Sequence, residues 1–184
     1  TARAEPAHAT FSAGSYLLRL STTAEDANLL NLLLGGMLGS SLSLDAVSYQ
    51  GLASTDVNLA QLVRAQGSVG SVEELLAADL SVADVIGLAA NAVGQQGAVD
   101  ASVTTGLEGL LSAAVDQATV QLGDVLDVSV PASDAAGKVG INLLDLITTT
   151  ILVANKQHAV SLPLAVNLGS LINVDAVVNV IQPP

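Results

Sequence analysis

The stretch Asn142-Leu-Leu-Asp-Leu-Ile-Thr-Thr-Thr-Ile-Leu-Val-Ala-Asn155, followed by Ala159-Val-Ser-Leu-Pro-Leu-Ala-Val-Asn-Leu168, decides the fold class. The first segment has the apolar spacing of an amphipathic helix and opens on an asparagine, a common N-cap residue. In the second segment alternate residues are apolar, which is the period of a strand. Pro163 interrupts only the other face and predicts an edge strand or a bulge. A helix that leads into strands predicts an α+β fold.

A second strand follows the predicted turn at residues 169–173. Its alternate apolar residues share one face, while Val177 and Ile181 share the other face with Asp175 and Asn179. A mixed second face is typical of a strand that is half covered or that receives a partner. We therefore predict partner binding along this strand edge. The candidate residues are Val174, Ala176, Val177, Val178, Val180 and Ile181.

Four segments in the middle of the chain share one apolar-polar-apolar-x-polar-apolar-apolar pattern. They are residues 57–63, 80–86, 120–126 and 141–147. In three of them Asn or Ser stands three residues before Gln or Asp, which is N-cap chemistry. Each segment therefore predicts an extended step followed directly by a helix. Their irregular spacing excludes a solenoid, so we interpret them as a recurring local pattern and not as a duplication.

The rest of the chain predicts further helices and two more strands. Residues 10–20 alternate as a strand after a flexible lead-in over residues 1–9, and a second strand is expected through Leu42, Leu44, Val47 and Tyr49. Helices are expected from a capping box at Thr22 to Gly35-Gly36 or Gly39, and over residues 71–78, 82–93 and 99–115. Gly106 and Gly109 indicate close approach of another helix. We expect one α+β domain over residues 10–184, with an antiparallel sheet from N- and C-terminal strands packed by a mostly helical middle.

Composition excludes several classes of partner. The net charge is −12 and only five residues are Lys or Arg, whereas nucleic acids and anionic membrane surfaces attract basic proteins. Phe11, Tyr16 and Tyr49 are the only aromatic residues, too few for base or sugar stacking. The absence of cysteine excludes disulfides and thiolate chemistry. Neither a signal peptide nor a membrane-spanning stretch is predicted, and because residue 1 is Thr we expect a piece of a longer chain.

Residues that could carry chemistry are few and scattered. His8 and His158 lie outside any motif for a catalytic triad, and phosphate-loop and H-E-x-x-H patterns are absent. The sequence therefore predicts no catalytic residue, no cofactor and no metal site. Asp124, Asp127 and Asp134 leave open one alternative, a secreted calcium-dependent adhesin or surface-layer module, although they do not form a calcium-loop pattern. A hydrolase that uses His158 is a second, weaker alternative.

Several segments, in order, resemble TadG-like proteins of the Flp/Tad (tight adherence) pilus system. Ala9-Thr-Phe-Ser-Ala-Gly-Ser15 is similar to a segment that follows the membrane anchor in this family. Residues 29–39, 41–53, 56–59 and 120–126 continue the likeness, and it ends in the tail quoted above with Val180-Ile-Gln-Pro-Pro184. These are packing and capping motifs and include no catalytic signature.

The resemblance implies a non-enzymatic envelope module that supports assembly or anchoring of pili through protein contacts. Its expected partners are other pilus-assembly or pilin-like proteins, not nucleic acid. It also implies an extracytoplasmic location, in the periplasm or at the cell surface of a bacterium, with membrane contact only through an N-terminal anchor that lies outside this sequence. The adhesion metal site of some relatives is not implied, because Asp127-Val-Ser-Val-Pro131 lacks the second serine of D-x-S-x-S.

Overall fold

A computed structural model describes residues 24–114, 119–126 and 140–155, together with the backbone of residues 161–167 and 173–179. The helices are α1 (Ala24–Leu38), α2 (Ala46–Ala53), α3 (Leu59–Gln66), α4 (Val72–Ala77), α5 (Val82–Gly94), α6 (Ala101–Ala113), α7 (Leu122–Val125) and α8 (Leu143–Ala154). The strands are β1 (Asp56–Asn58), β2 (Asp79–Ser81), β3 (Thr119–Gln121), β4 (Gly140–Asn142), β5 (Ser161–Asn167) and β6 (Asn173–Asn179). This mostly helical chain with small antiparallel sheets confirms the α+β prediction.

The four patterned segments each form a three-residue strand that runs directly into a helix, as predicted. We call them units 1 to 4: β1–α3, β2–α5, β3–α7 and β4–α8. The last strand residue of each unit is extended and serves as the helix N-cap; these residues are Asn58, Ser81, Gln121 and Asn142. Because an N-cap residue keeps β-region dihedrals, one residue can end the strand and begin the helix.

The units pair in a nested order that the sequence pattern alone did not indicate. β1 pairs with β4 and β2 pairs with β3, both antiparallel and each within its own two-stranded sheet. The middle residues lie opposite each other, Val57 with Ile141 and Leu80 with Val120, and all four are buried. Each short sheet therefore fixes the starting points of two helices and adds two aliphatic side chains to the core.

The same polar contact recurs in both pairs. An Asp at the first strand position of one unit lies opposite an amide at the last position of its partner. Asn142 Nδ2 donates to Asp56 Oδ1 at 3.3 Å, and Gln121 Nε2 donates to Asp79 Oδ1 at 3.1 Å. Opposing side chains in antiparallel strands are close enough for such contacts. The two pairs therefore share both their register and their side-chain chemistry.

Two helices form the centre of the aliphatic core. α5 contacts α3, α6 and α8, and α8 also contacts α1, α2 and α7. Their fully enclosed residues include Val85, Ile86, Ala89, Leu143 and Ile147. Among the described residues, no buried side-chain nitrogen or oxygen lacks a hydrogen-bond partner. In the same residues, no helix is long and apolar enough to span a membrane.

Gly106 allows α2 to pack closely on α6, which confirms the helix approach predicted there, whereas the neighbour of Gly109 is Leu44 in the segment before α2. A methyl group at Gly106 would lie 2.9 Å from Leu52 Cδ1, and one at Gly109 would collide with Leu44 Cδ2. Both leucines belong to the buried core. These two helix positions therefore have no room for a side chain in the observed packing.

The strand predicted through Leu42, Leu44, Val47 and Tyr49 is wrong, because the second half of this segment is helix α2. Asp45 is its N-cap, and its carboxylate accepts a hydrogen bond from Ser48 N at 2.8 Å. α1 ends at Leu38, before Gly39 at φ 67°, so the later of its two predicted ends is confirmed. The predicted N-terminal strand over residues 10–20 and the lead-in lie outside the described residues.

Candidate partner-binding site

The predicted C-terminal strands form an antiparallel pair. β5 and β6 are in continuous register from Ser161 opposite Asn179 to Asn167 opposite Asn173. Pro163 is opposite Val177 without a bulge. Among the described strands β5 pairs only with β6, which agrees with the predicted edge position of Pro163.

Four of the six predicted partner-binding residues lie in β6. The register places Val174, Ala176 and Val178 on one face, opposite Val166, Leu164 and Leu162 of β5. Val177 lies on the other face, as its position in the alternation predicts. Val180 and Ile181 lie outside the described residues. Six aliphatic residues therefore share one face of this strand pair.

The outer edge of β1, the one that faces away from β4, is partly covered by a side chain, whereas no described strand covers the outer edge of β6. Leu143 N donates to Thr55 O at 2.9 Å, which continues the β1–β4 ladder and directs the Asp56 carbonyl away from β4. Gln96 Nε2 donates a hydrogen bond to that carbonyl oxygen at 3.0 Å. Among the described strands, β6 pairs with β5 alone. An unpaired strand edge is a template for an added strand, so β6, unpaired on one side among the described strands, is the candidate edge.

A second apolar surface lies on α1, the helix that contacts β5. One side of α1 packs into the core through Ala27, Leu30, Leu34 and Leu38. The opposite side presents Glu25, Leu29, Leu32 and Gly36, which we call the α1 outer face. Leu29 is 36% exposed and Leu32 41% exposed. These are two of four large hydrophobic residues that are exposed in the described part of the chain, and the other two lie on α2 and α6.

Carboxylates dominate the electrostatics of the described residues, in which Arg64 is the only Lys or Arg. Partial burial raises the pKa of Asp145, and the nearby charge of Asp56 raises it further. Hydrogen bonds lower the pKa of Asp84 and Asp100; the largest comes from a serine side chain and the next from the same serine's backbone N–H. Charge at the first turn of α8 is therefore disfavoured, whereas charge at the α5 and α6 N-termini is favoured.

The alternatives to partner binding rest mainly on residues that the structure does not describe. Asp124 is exposed in α7, while Asp127, Asp134, His8 and His158 lie outside the described residues. Within the described part of the chain, no group of three or more His, Asp or Glu side chains could hold a metal ion.

The comparisons identify one family. A family model described as a domain of unknown function, DUF8293, matches residues 26–152. The chain belongs to the DUF8293 family. The matched residues include units 1 to 3, unit 4 as far as residue 152, and the α1 outer face except Glu25, whereas β5 and β6 lie beyond them. A search of curated proteins and a search of solved structures each returned no significant match.

Sequence reasoning missed the residues that join elements distant in the chain. Gln96 follows α5 and covers β1, and Asn31 on α1 bonds both the backbone of Leu44 and the hydroxyl of buried Tyr49. Neither amide belongs to a recurring motif. The Asp-amide contacts did carry a signal, because each Asp directly precedes a patterned segment and each amide is the second residue of one.

Proposed function

We propose that this chain is a non-enzymatic envelope module that supports assembly or anchoring of Flp/Tad-type pili through protein contacts. The resemblance to TadG-like proteins is what supports the choice of the pilus system. The observation that carries the contact mechanism is the β6 edge, which no described strand covers. A partner strand would add to this edge through main-chain hydrogen bonds, and the alternating residues of β6 would select its side chains.

The first test is deletion of the gene in the source bacterium, with surface pili counted by electron microscopy. We expect loss of pili and restoration by the full-length gene. Normal pili in the deletion strain would overturn the proposal. A sharp rise in Tm on addition of millimolar Ca²⁺, lost on chelation, would instead favour the calcium-dependent adhesin.

The edge mechanism requires a test of its own. Successive backbone N–H groups of a strand point to opposite edges, so one of Val177 and Val178 directs its N–H outward and the other directs it towards β5. Proline at the first position removes the outward N–H, and proline at the second removes the inward one. We expect the outward variant to abolish complementation while the inward variant disturbs the β5 pairing. Val177→Thr and Val178→Thr keep both N–H groups and are the controls. Full complementation by both proline variants would contradict strand addition.

A further inference from the structure

The first turn of α1 is polar, with Glu25, Asp26 and Asn28, but from Leu29 onward the helix is apolar apart from Asn31. A helix that is apolar on more than one side is typical of one packed on more than one side. In the structure one side of the helix is in the core, but Leu29 and Leu32 on the α1 outer face remain 36% and 41% exposed. The sequence of this helix thus fits a second packing partner.

The α1 outer face has the geometry of a helix-docking surface. Its four residues follow spacings of four, three and four, which place them in one line along the helix. Two leucines occupy the middle of the line. Gly36 lies at the C-terminal end, exposed, where the missing side chain lets another backbone approach.

Charge indicates what the partner must carry. Glu25 is exposed at the N-terminal end of the line, and the last turn of α1 contains no basic residue. The whole chain has a net charge of −12, so two copies would repel each other across a self-paired face. Glu25 next to the two exposed leucines complements an apolar surface with a lysine or arginine at its edge.

We infer that the α1 outer face docks a cationic amphipathic helix of a partner protein. An antiparallel arrangement places the last turn of the partner helix beside Glu25, where its basic residues also complement its own dipole. α1 contacts β5, the strand that pairs with β6, so the α1 outer face and the proposed β6 edge belong to neighbouring elements. The inference rests on the proposed function only for the existence of a partner.

Binding of two synthetic helical peptides to the full chain tests this inference. Both peptides carry the same leucine stripe; one has lysine and the other glutamate at its polar positions. We expect the lysine peptide to bind, measured by fluorescence anisotropy, and the glutamate peptide not to bind. Leu29→Ser with Leu32→Ser should weaken binding by about tenfold, because the apolar anchors are lost.

Val47→Ser with Leu111→Ser is the matched control, since these residues are 58% and 43% exposed on other helices. This double variant should leave the affinity within about twofold, because charge attraction is unchanged. Equal loss in both double variants, equal binding of the two peptides, or no binding would overturn the inference. If Leu29→Ser with Leu32→Ser instead lowers Tm by several degrees more than the control and no peptide binds, a segment of the chain itself covers the face.

The peptide experiment tests the α1 docking surface and the pilus count tests the proposed function, so either hypothesis can be rejected without the other. Loss of peptide binding in a protein whose deletion abolishes pili would remove the α1 docking surface and leave the proposed function. Selective peptide binding in a strain with normal pili would leave a partner-binding helix face in a protein of another system.

Discussion

At the residue scale, Asp145 is the described carboxylate whose pKa is raised above the ordinary value of 3.8, by partial burial and then by Asp56. The folded state therefore binds a proton at a higher pH than the unfolded state. The resulting penalty is present at neutral pH and disappears as pH falls through the raised pKa to below 3.8. We expect Asp145→Asn to raise Tm at pH 7 and to leave it unchanged near about pH 3.

The pKa of Asp100 is shifted in the opposite direction, so its ionised form stabilises the folded state. Ser102 donates to its carboxylate from Oγ at 2.6 Å and from the backbone N–H at 2.8 Å, and these bonds lower its pKa. Its stabilisation is present above 3.8 and is lost as pH falls through the lowered pKa. Asp100→Asn should therefore lower Tm at neutral pH and have no effect in acid. Thermal melts of Asp145→Asn and Asp100→Asn across this pH range check both predictions. A change of Tm in the same direction for both variants at pH 7 would contradict the assignment.

At the element scale, helix packing predicts that alanine has opposite effects on stability at Gly106, where α6 meets α2, and at Gly87 in α5. A methyl at Gly106 would lie 3.0 Å or less from two atoms of Leu52, a core residue that is 0% exposed. Gly106→Ala should cost about 1–3 kcal/mol of unfolding free energy, as overpacking does. At Gly87 in α5, nothing lies within 4 Å of an added methyl. Gly87→Ala should gain about 0.5–1 kcal/mol.

Urea unfolding of the two glycine variants and the parent chain, compared at a common m-value, gives these differences. Similar gains at both positions would show that α2 can move away from α6 at little cost. In that case the glycines would not determine the helix spacing.

Equivalent positions in the four units predict unequal capping energies. Asn58 accepts from Gln61 N and its own N–H donates to Gln61 Oε1, both at 2.9 Å, which is a full capping box. Gln121 makes no side-chain cap bond, and its side-chain amide nitrogen donates to Asp79. Asn58→Ala should cost about 1 kcal/mol and Gln121→Ala about 0.5 kcal/mol or less. Equal losses in urea titrations would mean that capping contributes little to α3.

The same comparison shows how much of the fold the sequence could predict. Capping residues and apolar spacing are local, so units 1 to 4 and the β5 and β6 alternation were predicted from single segments. Helix α2 was missed because four apolar residues in partial alternation were interpreted as a strand and Asp45 was not recognised as an N-cap. The candidate residues of β6 were predicted by the same alternation, whereas the α1 outer face was not, since exposure depends on which neighbouring elements pack.

At the scale of the whole molecule, unit pairing depends on chain topology and not on local pattern. An Asp from unit 1 could meet an amide from either unit 3 or unit 4 in the same register, so no residue rule separates the two pairings. The observed nesting places β2–β3 inside the chain segment that β1–β4 closes. The outer pair therefore joins parts of the chain that are much further apart than the inner pair does.

Engineered disulfides should measure this difference. Val57→Cys with Ile141→Cys links the outer pair, and Leu80→Cys with Val120→Cys links the inner pair, each at directly opposed residues. These 184 residues contain no cysteine, so each variant has only one possible intramolecular disulfide. The entropy model gives the longer loop an advantage of about 0.6 kcal/mol, or roughly 2 °C in Tm.

The informative quantity is the change in Tm between the oxidised and reduced forms of the same variant, because the packing cost of the cysteines then cancels. A larger increase for the outer pair is expected, since oxidation removes more freedom from the unfolded chain. A larger increase for the inner pair would mean that β1 and β4 are already close in the unfolded ensemble or that their geometry strains the bond. Failure of the outer pair to oxidise in the native protein would contradict the nested pairing itself.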